Sequence, residues 1–323
     1  MEDSNSIIFG PVPSRRLGHS LGINNIPPKV CTYACAYCQL GRTIKMQLER
    51  QMFYEKEFII GAVKDKVELT KKSGEKIDYL TFVPDGEPTL DISLGFEIIS
   101  LKFLNIPIAV ITNSSLIWQP EVRNDLFNAD WVSLKVDAVD EEIWHKIDRP
   151  HRKLDLDLIL EGALEFGRSF KGKLVTETML VANINDNDNH LNQIGEFLSR
   201  INPDISYISI PIRPPAEAWV QPPAEDIINR AYQIFNKKVR HVEYLTGYEG
   251  DSFTFSGDIK EDILSITSVH PMREDAVDIL LKRAGSNWEI INRLIALNQI
   301  VETEYGGHKF YLRKFQKSKR AES

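Results

Sequence analysis

Between about residue 20 and residue 240 the chain alternates two kinds of segment, and this alternation limits its fold more than any other feature. Short apolar runs of β type, SLGIN (20–24), YLTFV (79–83), IAVIT (108–112), WVSLKV (131–136), LVTETMLV (174–181) and YISIPI (207–212), are separated by helix-like stretches. Those stretches lie near 57–72, 91–104, 119–128, 156–168, 188–200 and 223–237. Strands joined through helices pair in parallel and bury both faces of their sheet, so the pattern predicts an α/β fold. Six such units predict a partial (β/α)6 barrel over 20–240, short of the eight units that close a barrel. Residues 1–19 read as an N-terminal extension.

The pattern changes after residue 240. HVEYLTGYEGDSFTFSGD is turn-rich and acidic, which predicts a linker over 241–265. REDAVDILLKRAG is apolar at Ala276, Ile279, Leu280 and Ala284, with Gly285 placed to stop a helix. In SNWEIINRLIAL, Ser286 and Glu289 read as a capping box, and Trp288, Ile291, Leu294 and Ile295 share a face. VETEY and HKFYL flank Gly306–Gly307, a hairpin signal. Helix, helix, hairpin predicts a small winged-helix domain over 266–317, with a tail at 318–323. Its second helix offers Arg293 against Glu289, a poor match to a base-reading helix.

All three cysteines, Cys31, Cys35 and Cys38, lie in the eight residues CTYACAYC. An odd number of clustered thiols is not a disulfide framework. A structural zinc site wants four ligands, and the nearest histidine, His19, is remote in sequence. A redox pair of Cys35 and Cys38 leaves Cys31 unexplained. An iron–sulfur cube held by three thiolates leaves one iron open to a non-protein ligand, which accounts for the odd count.

This C-x3-C-x2-C loop, with Tyr37 just before the last cysteine, resembles that of the radical S-adenosylmethionine (radical SAM) superfamily. The resemblance implies one [4Fe–4S] cluster on Cys31, Cys35 and Cys38, with SAM on the fourth iron. It also implies reductive cleavage of SAM to methionine and a 5′-deoxyadenosyl radical. Further elements fall in the family's order. PDGEPTL follows the second strand, where Gly86, Glu87 and Pro88 match the Gly-Glu element that takes the SAM amino group. Thr112 and Asn113 end the third strand. Ser133 and Asp137 sit where the family contacts ribose. Taken alone, each of these is also an ordinary turn or capping residue.

Nearly the whole chain resembles a group of iron–sulfur oxidoreductases, through GPVPSRRLGHSLGIN, CTYACAYCQLGRT and SVHPMREDAV. That group is related to the wyosine tRNA synthase (tRNA 4-demethylwyosine synthase). With no cysteine before Cys31, a second all-cysteine cluster is excluded, and a net charge of -7 counts against a polyanionic partner. The expected partners are SAM, a low-potential donor of flavodoxin or ferredoxin type, and an unknown substrate, RNA or a peptide among them. Arg16 and Arg42 are candidate clamps for an anionic group, and Arg213 a candidate at the barrel mouth. Lys135 is a candidate Schiff-base amine or, more simply, a salt-bridged lysine. The competing reading is an iron–sulfur redox sensor acting through a winged helix on DNA. The N-terminus MEDSNSIIFGPVPSRR lacks a signal-peptide pattern, and no apolar run is long enough to span a bilayer, so a cytoplasmic location without membrane contact is expected.

Overall fold

The computed structural model describes residues 7–245, 253, 255 and 257–314. The six expected strands are all present, and the sheet has two more. Its strands in chain order are β1 (Ile8–Ser14), β2 (Gly18–Ile23), β5 (Tyr79–Phe82), β6 (Ile108–Thr112), β7 (Trp131–Lys135), β8 (Lys173–Met179), β9 (Ile205–Ser209) and β10 (Val242–Leu245). Two short strands, β3 (Val30–Cys31) and β4 (Lys45–Met46), pair with each other inside the cysteine region. The eight strands lie side by side in the order β1-β2-β5-β6-β7-β8-β9-β10. All neighbours are parallel except β1, which runs antiparallel to β2. Part of the expected N-terminal extension is therefore a sheet edge, and the start of the expected linker is the opposite edge.

Helices α1 (Lys56–Lys72), α2 (Leu94–Leu101), α3 (Pro120–Leu126), α5 (Leu156–Ser169), α6 (Asp188–Ile201) and α7 (Glu225–Asn236) occupy the six expected stretches. An unexpected one, α4 (Glu141–Ile147), follows β7. Asp140, Asp155 and Asn187 cap α4, α5 and α6 by accepting backbone N–H groups. The main core lies between these helices and the outer face of the sheet, with Leu80, Phe82, Ile108, Val110, Val132 and Leu134 contributed by alternating strand positions.

The opposite face curls inward. Leu17, from the turn between β1 and β2, packs with Ala109, Trp131, Val175, Tyr207 and Leu245, which come from β6, β7, β8, β9 and β10. One small cluster drawing on five strands and Leu17 means the sheet is wrapped into a half-barrel, with that turn as its plug.

The C-terminal unit consists of α8 (Ile259–Val269), β11 (Met272–Arg273), α9 (Glu274–Arg283), α10 (Glu289–Ala296), β12 (Ile300–Tyr305) and β13 (His308–Arg313). Its sheet has the order β11-β13-β12. The Gly306–Gly307 hairpin forms as expected, both glycines at positive φ and Tyr305 paired with His308. Two expectations change. Helix α8 begins inside the stretch read as linker, and the Ser286 capping box does not form: Trp288 is the N-cap of α10, and the Glu289 N–H donates to the Asn287 side chain at 3.0 Å. Residues 246–252, 254 and 256 of the expected linker, and the expected tail, fall outside the described residues.

This unit shares its core with the barrel edge: Phe9 and Val12 of β1 pack with Ile263, Ile266, Met272 and Leu280. It also reaches the far side. The Tyr305 hydroxyl donates to Pro211 O at 3.1 Å, and His270 Nε2 lies 3.1 Å from Arg213 Nη2. Pro211 and Arg213 follow β9, so the C-terminal unit bridges the open side of the half-barrel.

Candidate active site

The cysteine loop leaves β2 and is fixed by backbone hydrogen bonds on several sides. Ala34 N and Ala36 N donate to Asp148 O and Ile147 O at the end of α4, at 3.1 and 2.8 Å. His151 N donates to Thr32 O at 2.9 Å, and Gln47 N to Cys31 O at 3.1 Å. The helix that the alternation pattern did not reveal is thus the seat of the loop. All three thiols are free of disulfides and line one cavity of about 360 Å³, at the C-terminal ends of the parallel strands.

Gly86 lines the same cavity and forms a β-bridge with Val30, next to Cys31. A Cβ at Gly86 would lie 1.9 Å from the Val30 carbonyl oxygen, so only glycine lets the PDGEPTL turn close on the strand that carries Cys31. The Glu87 carboxylate is fully buried and does not reach the cavity. It accepts from Thr89 N at 3.0 Å, Thr89 Oγ1 at 2.6 Å, Thr112 Oγ1 at 2.6 Å and Asn113 N at 2.7 Å. Burial raises its pKa while these four donors pull it down. Glu87 therefore ties the turn after β5 to the end of β6, and Gly86 is the part of the motif that lines the cavity. Pro88 is buried beneath, its carbonyl accepting from Asn25 Nδ2 at 3.1 Å. Asn113 lines the cavity and donates through Nδ2 to Thr32 Oγ1 at 2.8 Å, with Cys31 Sγ at 3.5 Å.

Ser133 and Lys135 line the cavity from β7, two residues apart on one face of the strand. Asp137 does not. Its carboxylate accepts from the Tyr37 hydroxyl and, at 2.6 Å, from Met179 N. Tyr37 lies beside the cavity with its hydroxyl also 3.4 Å from Asp148 Oδ1, which accepts from Cys35 Sγ at 3.5 Å. Burial pushes Asp137 and Asp148 up, and the two acids repel one another. The thiols respond in the same way: burial, then Glu87, pushes Cys31 up to about 12. Burial raises Cys35 and Cys38 as well.

The four candidate substrate residues separate. Arg42 is outside the cavity: its side chain is 77% exposed and forms a two-pronged bond to Glu217, with N···O distances of 3.0 and 3.1 Å. Arg16, Lys135 and Arg213 all line the cavity. Arg213 donates to Gln39 Oε1 at 2.7 Å, which joins the cysteine loop to the C-terminal unit through His270. Lys135 lies 2.8 Å from Glu177 Oε1 and 5.0 Å from the centre of the Tyr37 ring. Desolvation lowers its pKa, but Asp137 and Glu177 outweigh it and hold the amine protonated. A locked ammonium is a poor Schiff-base nucleophile, so the salt-bridged reading of Lys135 fits.

Sequence reasoning missed Glu177 and the Lys29–Asp85 pair, whose N···O distance is 3.1 Å beside the loop. Glu177 had a signal: in LVTETMLV it shares the alternation phase of Val175 and Met179, which places a charge on the barrel's inner face.

Residues 25–198, more than half of the chain, match the radical SAM superfamily. The chain belongs to the radical SAM superfamily. Membership implies SAM and iron–sulfur binding. It also belongs to the UPF0026 family: it is 49% identical over 310 residues to the UPF0026 protein MJ1312 of Methanocaldococcus jannaschii, covering 95% of this chain and 96% of that one. A UPF0026 protein of Helicobacter pylori strain J99 is 37% identical over 211 residues, 64% of this chain and 67% of its own. The fold resembles that of a radical SAM methyltransferase from Sphaerobacter thermophilus, with TM-score 0.53, 15% identity, and 70% and 66% of the two chains covered. It also resembles TYW1 solved with a lysine–pyruvate adduct, with TM-score 0.50, 14% identity, and 74% and 78% covered. Both likenesses are of fold. Among the described residues no helix is long and apolar enough to cross a membrane.

Proposed function

We propose that this radical SAM protein is a single-cluster enzyme. It holds one [4Fe–4S] cluster on Cys31, Cys35 and Cys38, binds SAM beside it, and acts on a substrate in the same cavity. The observation that carries this reading is the meeting of all three thiols with Gly86, Asn113 and Ser133 on one cavity at the strand ends, where α/β scaffolds place ligands. The donor set suits the group, since three unpaired, partly exposed thiols beside a glycine turn leave room for a fourth, non-protein ligand.

When bound, the cluster supplies the electron that splits SAM into methionine and a 5′-deoxyadenosyl radical, which removes a hydrogen atom from the substrate. The chain's own contribution is position and exclusion of water. The backbone at Gly86 offers polar groups to the SAM amino group, held in place by the buried Glu87. The Asn113 amide and Ser133 hydroxyl face the same space. Tyr37 closes the wall next to Cys38, braced by Asp137. The plug of Leu17, Trp131 and Tyr207 seals the barrel floor.

The redox-sensor reading is disfavoured by His270, which the C-terminal unit contributes to the cavity lining. In our reading that unit is a winged helix used as a wall of the reaction chamber. The enzyme works in the cytoplasm with a flavodoxin- or ferredoxin-type donor. The test is anaerobic: reconstitute the cluster, add dithionite and SAM, and measure 5′-deoxyadenosine for wild type and Cys35→Ala. Formation that depends on Cys35 is expected. A fully loaded protein that neither binds nor cleaves SAM would sink the proposal.

A further inference from the structure

On the inner wall of the barrel two cations, Arg16 and Lys135, share one carboxylate, Glu177. Among the described residues the cavity is lined by five Arg or Lys side chains and two carboxylates, in a chain whose net charge is -7. One carboxylate, Asp85, pairs with Lys29. The other, Glu177, serves two cations at once. Lys135 Nζ lies 2.8 Å from Oε1, and Arg16 Nη1 lies 2.5 Å from Oε2. Ser209 adds a hydroxyl donor to Oε1 at 2.9 Å. Asp137 and Asp148 are engaged with Tyr37 and do not line this cavity, although Asp137 acts on Lys135 from behind it.

Arg16 is held firmly but incompletely bonded. Its guanidinium carbon sits 6.0 Å from the Trp131 ring centre and 5.9 Å from that of Tyr207, a placement that favours the cation. It reaches Glu177 through Nη1 alone, and its Nε is buried without an acceptor. An unmet buried donor is unfavourable, and so are two cations sharing one carboxylate in a poorly solvated site. A ligand bringing one negative charge and a planar pair of oxygens would relieve both.

We propose that this is the substrate anchor: the enzyme takes a small molecule bearing a carboxylate, which seats on the Nε–Nη2 fork of Arg16 and the ammonium of Lys135. A carboxylate fits better than a phosphate because it adds a single negative charge to a wall where Glu177 and, behind it, Asp137 already act on Lys135, and because its planar oxygens match a two-pronged guanidinium edge. Arg16 enters from the turn that plugs the barrel and Lys135 from β7, and both side chains line the cavity from its inner wall. The proposal rests on this cavity being the radical SAM site.

The test uses the cluster-loaded, anaerobic full chain and calorimetric titration with butyrate. Butyramide and butanol serve as neutral isosteres, and inorganic phosphate as a different anion. Butyrate is expected to bind at least about tenfold more tightly than any of the three, a difference of ~1.4 kcal/mol. Arg16→Gln and, independently, Lys135→Gln should each weaken butyrate by at least about tenfold. The second variant decides the matter if the first does not fold. Equal binding of the neutral isosteres or of phosphate overturns the assignment, as does butyrate binding that both variants retain. Displacement of butyrate by SAM would give the site to the cofactor's own carboxylate and also overturn it. A wild type that forms 5′-deoxyadenosine yet ignores butyrate loses the anchor and keeps the enzyme reading. One that binds butyrate through Arg16 but does not cleave SAM keeps the anchor and loses the enzyme reading.

Discussion

Glu87→Gln is the substitution that best separates a bracing role for the Gly-Glu motif from direct contact with a ligand. The carboxylate accepts four hydrogen bonds, three on Oε1 and one, from Asn113 N, on Oε2. Glutamine keeps the Oε1 set and places an NH2 group against the Asn113 N–H. One charge-assisted bond, about 1.5–3 kcal/mol, is lost, and a buried donor is stranded at about 1–3 kcal/mol. The expected cost is about 3–5 kcal/mol in total. Unfolding entropy of ~2.1 cal/mol/K per residue across 323 residues converts this to a fall in Tm of about 4–7 °C. The assay is thermal denaturation of the cluster-loaded protein, with SAM binding measured on the same samples. If Glu87 served only as a ligand contact, SAM affinity would drop while Tm stayed within about 1 °C of wild type. That result would refute the bracing argument.

Three further outcomes follow from the geometry. Gly86→Ala pushes a methyl into the Val30 carbonyl, 1.9 Å from the ideal Cβ position, and should displace the strand leading to Cys31. Iron and sulfide content after reconstitution should fall well below wild type, and full loading would contradict the close approach. Lys29→Met strands the buried Asp85, whose pKa burial already raises to about 6. We expect a loss of about 3–5 kcal/mol by urea denaturation, mostly recovered in Lys29→Met/Asp85→Leu; a double variant no more stable than the single one would contradict this. Asp78 is held down to about 2 by the His19 N–H, then Lys76. A depressed acid stabilises the fold above its ordinary value of 3.8 and loses that contribution as pH falls toward about 2. Asp78→Asn should therefore cost roughly 1–2 kcal/mol at neutral pH, about half of that at pH 3 and little at about pH 2, read from urea midpoints.

The βα alternation and the cysteine spacing were legible because both are local: one needs only periodicity, the other only an odd count of thiols. What escaped was set by distant partners. IFGPVPS forms an edge strand although Pro11 and Pro13 remove ladder donors, which an edge tolerates. VEYL joins the sheet from within an acidic, turn-rich stretch because β9 offers it a parallel edge. Arg16 and Arg42 looked alike as cations flanking the cysteine loop, yet one lines the cavity and the other pairs with Glu217 on the surface. The chemistry of Glu87 was readable as acidic, but its direction depends on Thr112 and Asn113, which arrive from another strand.

The C-terminal unit that spans the half-barrel has a consequence for how the protein is made. Ser265 Oγ lies 3.4 Å from Ile8 O across a separation of 257 residues, and β1 finds its apolar partners in α8 and α9. Contacts this distant in sequence form late, because closing so long a loop is entropically costly. Synthesis delivers the thiols early and the unit that bridges the open side of the chamber last. Until residues 259–314 dock, the open side of the chamber that Cys31, Cys35 and Cys38 line lacks its bridge.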